Sequence, residues 1–134
     1  MKSSYLSHIP ATLITILVTL LFLSSCSKDD DIQTPSGDYV IITPEKQNVY
    51  GGGSGQVSVR IKSNTTWSAG YNNSPGYLEI LSVSPSSGKG DAMVTIRYAA
   101  LPEKENYLQG WVKFYYYKNG KTRTHSSAWV FSKR

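Results

Sequence analysis

The chain predicts an all-β fold, an immunoglobulin-like β-sandwich of about seven strands, and three observations predict it. Gln56 to Lys62 (QVSVRIK) alternates polar and apolar residues, with Val57, Val59 and Ile61 on one side, the period of a half-buried strand. Asn119-Gly120 separates two runs rich in Val, Thr and aromatic residues, and both residues tolerate the positive φ that a tight hairpin turn demands. From Tyr39 on, short β-rich runs alternate with clusters of Gly, Pro, Asn and Ser, and helical periodicity is nearly absent.

Taken in order, Tyr39-Val40-Ile41-Ile42 is a short strand stopped by Pro44. Gly51 to Gly55 (GGGSG) is a loop; without a buried strand before it or a helix after it, it lacks the setting of a phosphate-binding glycine loop. After the strand Gln56 to Lys62 comes a short one at Thr66 to Ala69, in which Trp67 is expected to fill the core. Tyr71 to Gly76 (YNNSPG) has turn chemistry, Tyr77 to Val83 is a strand, and Ser84 to Gly90 (SPSSGKG) is again a turn. Ala92 to Tyr98 is the next strand, and Leu101 to Asn106, with Pro and charge, is a loop. Gly110 to Tyr117 and Thr122 to Phe131 form the terminal hairpin around Lys118-Asn119-Gly120-Lys121. A two-residue turn sets Tyr115 opposite Thr124 and Phe114 opposite His125. That leaves a polar partner on the inner side and implies a β-bulge in the last strand, with the side taken by Trp129 open.

Residues 1–25 have the layout of a signal peptide. Ala11 to Phe22 (ATLITILVTLLF) is apolar and follows Lys2, yet it is short for a membrane span, which needs about 20 apolar residues. Leu23-Ser24-Ser25-Cys26 closes the run and resembles the lipobox of bacterial lipoproteins at every position of that motif. The resemblance implies that residues 1–25 are removed and that Cys26 takes a diacylglyceryl group and further acyl chains such as palmitate. Two or three chains on one residue anchor a protein stably to a membrane, where a single chain holds only marginally. Lys28-Asp29-Asp30-Asp31 resembles the surface-export signal of Bacteroidetes lipoproteins, which implies an outer-membrane protein facing the cell exterior. As a calcium loop the run lacks spaced ligands and a turn glycine. Residues 26–38 are thus a lipidated Cys with an acidic and polar tether, and 39–134 the sandwich.

Composition narrows the classes further. Of 14 Lys and Arg only Lys2 and Lys28 precede Tyr39, and of 9 Asp and Glu only Asp29, Asp30, Asp31 and Asp38 do, which leaves the domain 12 cations against 5 acids, a formal +7. A basic, tyrosine-rich surface suits nucleic acid as well as anionic glycans. An extracellular location argues against nucleic acid as partner. Cys26 is the one cysteine, so no disulfide staples the fold.

Val57-Ser58-Val59, Ser63-Asn64-Thr65-Thr66-Trp67, Ser84-Pro85-Ser86-Ser87-Gly88-Lys89-Gly90 and Val94-Thr95-Ile96 follow one another in an order and spacing that resembles the BACON domain, the Bacteroidetes-associated carbohydrate-binding often N-terminal module. The resemblance covers Tyr39 to Tyr116 and implies a sandwich of seven or eight strands. That family closes on a strand ending Gln-x-Gly, whereas this chain runs on from His125 as HSSAWVFSKR, so the resemblance supplies no register for the last strand. It does imply that Val112, Phe114 and Tyr116 point inward after Gly110, and that Trp111, Lys113, Tyr115 and Tyr117 point outward.

Catalysis has little to work with in this sequence. His125 is the one histidine of the mature chain and sits in a strand, with no nucleophile-elbow pattern around any Ser. Glu79, Asp91, Glu103 and Glu105 are the carboxylates available for glycoside hydrolysis, which needs a facing pair, and nothing in the sequence pairs two of them. No His/Cys cluster fits a metal, and no cofactor motif occurs. The outward Trp111, Lys113, Tyr115 and Tyr117 are the candidate carbohydrate-binding residues, because rings stack on pyranose C–H faces while cations and hydroxyls bond the sugar rim. Alternatively these rings cover the sheet and pair across strands for stability. The expectation is a non-catalytic surface lipoprotein contacting mucin or dietary glycans. The alternative is an accessory lipoprotein that docks a protein partner, or a spacer, in a surface complex.

Overall fold

The computed structural model of the chain describes residues 37–134; the expected signal peptide, Cys26 and the run Lys28, Asp29, Asp30, Asp31 lie outside the described residues. The described residues form nine strands: β1 (Val40–Thr43), β2 (Lys46–Tyr50), β3 (Gly55–Ser63), β4 (Thr66–Gly70), β5 (Ile80–Ser84), β6 (Ser87–Lys89), β7 (Ala92–Tyr98), β8 (Tyr107–Lys118) and β9 (Thr122–Lys133). They make two layers, a four-stranded sheet in the order β1-β3-β7-β5 and a five-stranded sheet in the order β2-β9-β8-β4-β6. The architecture is an all-β, immunoglobulin-like sandwich.

Two strands exceed the expected seven, and both are short edge strands without apolar alternation. β2 (KQNVY) follows Pro44 and pairs parallel with β9, from Lys46 beside Trp129 to Tyr50 beside Lys133. β6 (SGK) lies inside the segment expected as a turn and pairs with β4. Tyr77 to Glu79, expected as strand, is instead irregular, and β5 begins at Ile80. A long-range partner, not local propensity, decides these segments.

The core follows from alternation. Val57, Val59 and Ile61 of β3 pair with Ile96, Val94 and Ala92 of β7, and their side chains turn to the opposite sheet. Val112 and Phe114 of β8, with Ala128 and Val130 of β9, meet them from the other layer, and Tyr116 packs half-buried at their end. Trp67 is 1% exposed; its ring stands edge-on to Phe114 at 5.7 Å, and its Nε1 donates to the Gly90 carbonyl at 3.0 Å. Gly88 makes room for it, since a Cβ there would lie 2.7 Å from the indole. Gly110 likewise admits the Leu78 carbonyl, which a Cβ would meet at 2.8 Å. Ser132 is fully buried among these residues, and its Oγ has no protein partner.

The terminal hairpin differs from expectation by one residue. Asn119 and Gly120 do take positive φ (53° and 68°), and Lys121 N donates to the Lys118 carbonyl at 3.1 Å. Pairing resumes with Lys118 opposite Thr122, so Lys121 is an extra residue at the turn. Tyr115 therefore faces His125, Phe114 faces Ser126, and the ladder runs without a bulge from Tyr107 opposite Lys133 to the turn. Placing the extra residue at the turn removes the polar clash that the two-residue turn created. His125 moves to the outer side, the small Ser126 turns inward, and its Oγ donates to the Val40 carbonyl at 2.6 Å. The same register puts Trp129 directly opposite Trp111 on the outer side.

Candidate functional site

β8 and β9 are the longest strands, 12 residues each, and they pair along their whole length in the middle of the five-stranded sheet. Alternation sends Val112, Phe114, Ala128 and Val130 to the core and leaves Trp111, Lys113, Tyr115, Trp129 and Phe131 half-buried on the outside. The outer rings touch one another across strands. Trp111 and Trp129 are 5.3 Å apart, Trp129 and Phe131 6.3 Å, and Phe131 and Tyr107 6.3 Å. The planes of the last three differ by only 14° and 11°, so they form a parallel set.

At its other side Trp111 meets the Tyr77 ring edge-on at 4.7 Å. Tyr77 belongs to the irregular segment before β5, which Asn73 fastens by a two-way bond: its Nδ2 donates to the Ile80 carbonyl and its Oδ1 accepts from Ile80 N, both at 2.9 Å. Leu78 N adds a bond to the Gln109 carbonyl at 2.9 Å, which ties that segment directly to β8. Tyr115 lies over Gly70, where a Cβ would come within 3.0 Å of the ring, and the Arg123 guanidinium sits 4.2 Å from its centroid. His125 is the neighbour across the pair at 5.6 Å.

Between Trp111 and Tyr115 opens a cleft of about 330 Å³ lined by Gly70, Tyr71, Asn72, Trp111, Lys113 and Tyr115. Lys113 stands between the two rings in the strand. Pocket walls of aromatic side chains with a few convergent polar groups are what small-molecule and saccharide sites have in common.

Three of the four residues singled out by sequence, Trp111, Lys113 and Tyr115, thus share one cleft. Tyr117 also points outward and is 56% exposed, but it lies toward the hairpin turn and does not line the cleft. The rings do not form one flat row: Trp111 is braced by Tyr77 and Tyr115 is capped by Arg123. The parallel set lies instead at Tyr107, Phe131 and Trp129, which sequence reasoning missed. Carrying the alternation of β8 back two pairs from Trp111 would have found Tyr107; Trp129 and Phe131 needed the register. Tyr71, Tyr77 and Asn72 come from a turn-like segment whose approach to β8 has no local signal.

The comparisons with known proteins speak to the fold. No protein-family model matches the chain, and no curated protein matches it by sequence. Among solved structures it is similar to a Bacteroides ovatus GH5 xyloglucanase, solved in complex with a XXXG heptasaccharide, at TM-score 0.53 and 12% identity. That likeness covers 71% of this chain and only 19% of the xyloglucanase. It is also similar to the ASH / PapD-like domain of human CEP192, at TM-score 0.51 and 11% identity, over 78% of this chain and 90% of that domain. At these identities the likeness is one of fold.

The carboxylates are distributed away from the cleft. Asp91 Oδ1 accepts from Ser63 N at 2.9 Å, a bond between neighbouring strand ends. Glu79 and Glu105 come together on a second cavity of about 340 Å³, with Asn73, Tyr77 and Pro102 among its walls, a meeting that the sequence did not reveal. Among the described residues no group of three or more His, Cys, Asp and Glu is placed to hold a metal ion.

Proposed function

We propose that this domain is a non-catalytic, BACON-like glycan-binding module of a surface lipoprotein, held at the outer membrane through Cys26 and exported by the Lys28 to Asp31 run. The observation that carries the reading is the cleft between Trp111 and Tyr115, continued by the Trp129, Phe131 and Tyr107 rings over the outside of one sheet. Outward rings at this density exceed what a sheet face needs to stay folded, because the core beneath is already closed by Val112, Phe114, Ala128 and Val130. Sugar rings pack their C–H faces on such aromatics, and Lys113, Asn72 and Tyr115 supply polar groups for the equatorial hydroxyls, while the Tyr71 hydroxyl donates to the Leu81 carbonyl at 3.5 Å.

The fold likeness to part of a xyloglucanase adds nothing about the ligand by itself, and the reading rests on the rings. A glycan array probed with the full chain in detergent micelles tests it, alongside Trp111→Ala and Tyr115→Ala. The expected result is retention of polysaccharide by the parent and loss in both variants. An array blank for the parent, or binding that survives both changes, defeats the proposal and moves the face to a protein-docking role. Acyl labelling that is abolished by Cys26→Ala, and removal of the domain by protease on intact cells, test the anchor and the exposure.

A further inference from the structure

We infer that the ligand of the aromatic face is an acidic saccharide, one carrying carboxylate or sulfate groups; this rests on the glycan reading above and narrows it. The five strands β2, β9, β8, β4 and β6 contain no Asp or Glu at all, while Lys46, Lys89, Lys113, Lys118, Arg123 and Lys133 lie on them. The acids of the domain lie off these strands: Glu45 directly before β2, its carbonyl accepting from Trp129 N at 2.7 Å, Glu79, Glu103 and Glu105 in the loops before β5 and before β8, and Asp91 in a bond to Ser63 N. The strands of the other sheet are also free of acids, and the distinction of this face is that its cations stand among rings; a face of one sign raises the local concentration of oppositely charged ligands.

The cations are also placed on the rings. Lys113 lines the cleft between Trp111 and Tyr115. The Arg123 guanidinium carbon lies 4.2 Å from the Tyr115 ring centroid, a cation–π contact that leaves the N–H groups as hydrogen-bond donors. Lys46 is the strand neighbour of Trp129, and the Lys133 ammonium is 5.9 Å from the Tyr50 centroid. Ammonium and guanidinium groups donate hydrogen bonds and accept none. A neutral sugar hydroxyl both donates and accepts, and this sheet has no carboxylate to receive its proton. A carboxylate or sulfate only accepts, and so it complements these donors, bidentately in the case of Arg. Single-stranded nucleic acid would satisfy the same two requirements of rings and cations, and is therefore the rival to be measured.

The experiment is binding of the full chain in detergent micelles to matched probes: dextran sulfate against dextran, polygalacturonate against its methyl ester, sialylated against asialo N-acetyllactosamine, and an oligothymidylate. The acidic member of at least one pair is expected to bind about tenfold tighter than its neutral twin, and the preference is expected to shrink as salt is raised. Lys113→Gln and Arg123→Gln should each lower acidic binding about fivefold, a larger loss than either causes for the neutral twin, with Lys113→Arg restoring it. Equal binding of acidic and neutral twins overturns this inference and leaves the glycan reading standing. Tighter binding of the oligothymidylate than of every saccharide overturns both, and so does an absence of binding to all probes. An equal loss of acidic and neutral binding in Lys113→Gln, with an unchanged melting curve, overturns the inference by removing the charge from the explanation.

Discussion

The two outer faces of the sandwich have the same backbone and opposite characters. On the four-stranded sheet the outward positions of β3 and β7 are Gln56, Ser58, Arg60 and Lys62, and Met93, Thr95 and Arg97, with Ile41 beside Lys62 on β1. No aromatic ring stands among them. On the five-stranded sheet the outward positions of β8 and β9 are dominated by rings, and they are half-buried against one another, not dispersed in solvent. Both faces are basic, so charge alone does not distinguish them. Both are backed by the same apolar core, so stability does not require the difference either. What separates them is a layer of contiguous aromatic surface on one side, and a sandwich that folds with no ring among these outward positions of one sheet has no structural need for that layer on the other.

That contrast can be broken most forcefully from beneath. Phe114→Ala removes a fully buried ring that supports β8 and touches Trp67, and should cost about 3–5 kcal/mol in a denaturant titration, taking both faces with it. Trp111→Ala and Trp129→Ala should separate stability from binding. Each is expected to weaken saccharide retention about tenfold, while the melting temperature moves by only a few degrees, since neither ring is in the core. A large drop in melting temperature with little change in retention would mean that the rings belong to the fold after all. Ser132→Ala is expected to raise stability by about 1 kcal/mol, because it deletes a buried hydroxyl without a protein partner from the strand that carries Trp129 and Phe131. The smallest effect should come from the bare face. Arg60→Gln, Lys62→Gln and Arg97→Gln should each stay within about 0.5 kcal/mol of the parent stability and leave retention unchanged. A lost signal in those variants would transfer the binding surface to the other sheet.

The alternation in β3, β7 and β8 made the core readable, since the period of two assigns a side to each residue once a single one is known to be inside. Trp111, Lys113 and Tyr115 were legible as one set for that reason, and the resemblance to the BACON pattern after Gly110 supplied which side that set takes. Trp129 was not, because its side depended on whether Lys121 counted as turn or as strand, and a shift of one residue reverses every side chain. β2 and β6 were also hidden: KQNVY and SGK have no apolar rhythm, and they are strands only because β9 and β4 offer them hydrogen bonds. Asn64 shows the same limit. Its Oδ1 accepts from Tyr39 N and its Nδ2 donates to the Gly37 carbonyl, both at 2.9 Å, so it clamps the entry to β1 from 25 residues away.

By itself the sequence determined an all-β sandwich, the two alternating sets of side chains in its regular strands, Trp67 in the core and an absence of acids over the last two strands. These are local properties, set by side-chain period and composition. Only the tertiary structure decided that Trp129 meets Trp111, that Arg123 caps Tyr115, and that the 71–77 segment closes a cleft beside Lys113. Those contacts join residues on separate strands and loops, and they depend on a hairpin register and a loop path that local patterning leaves open.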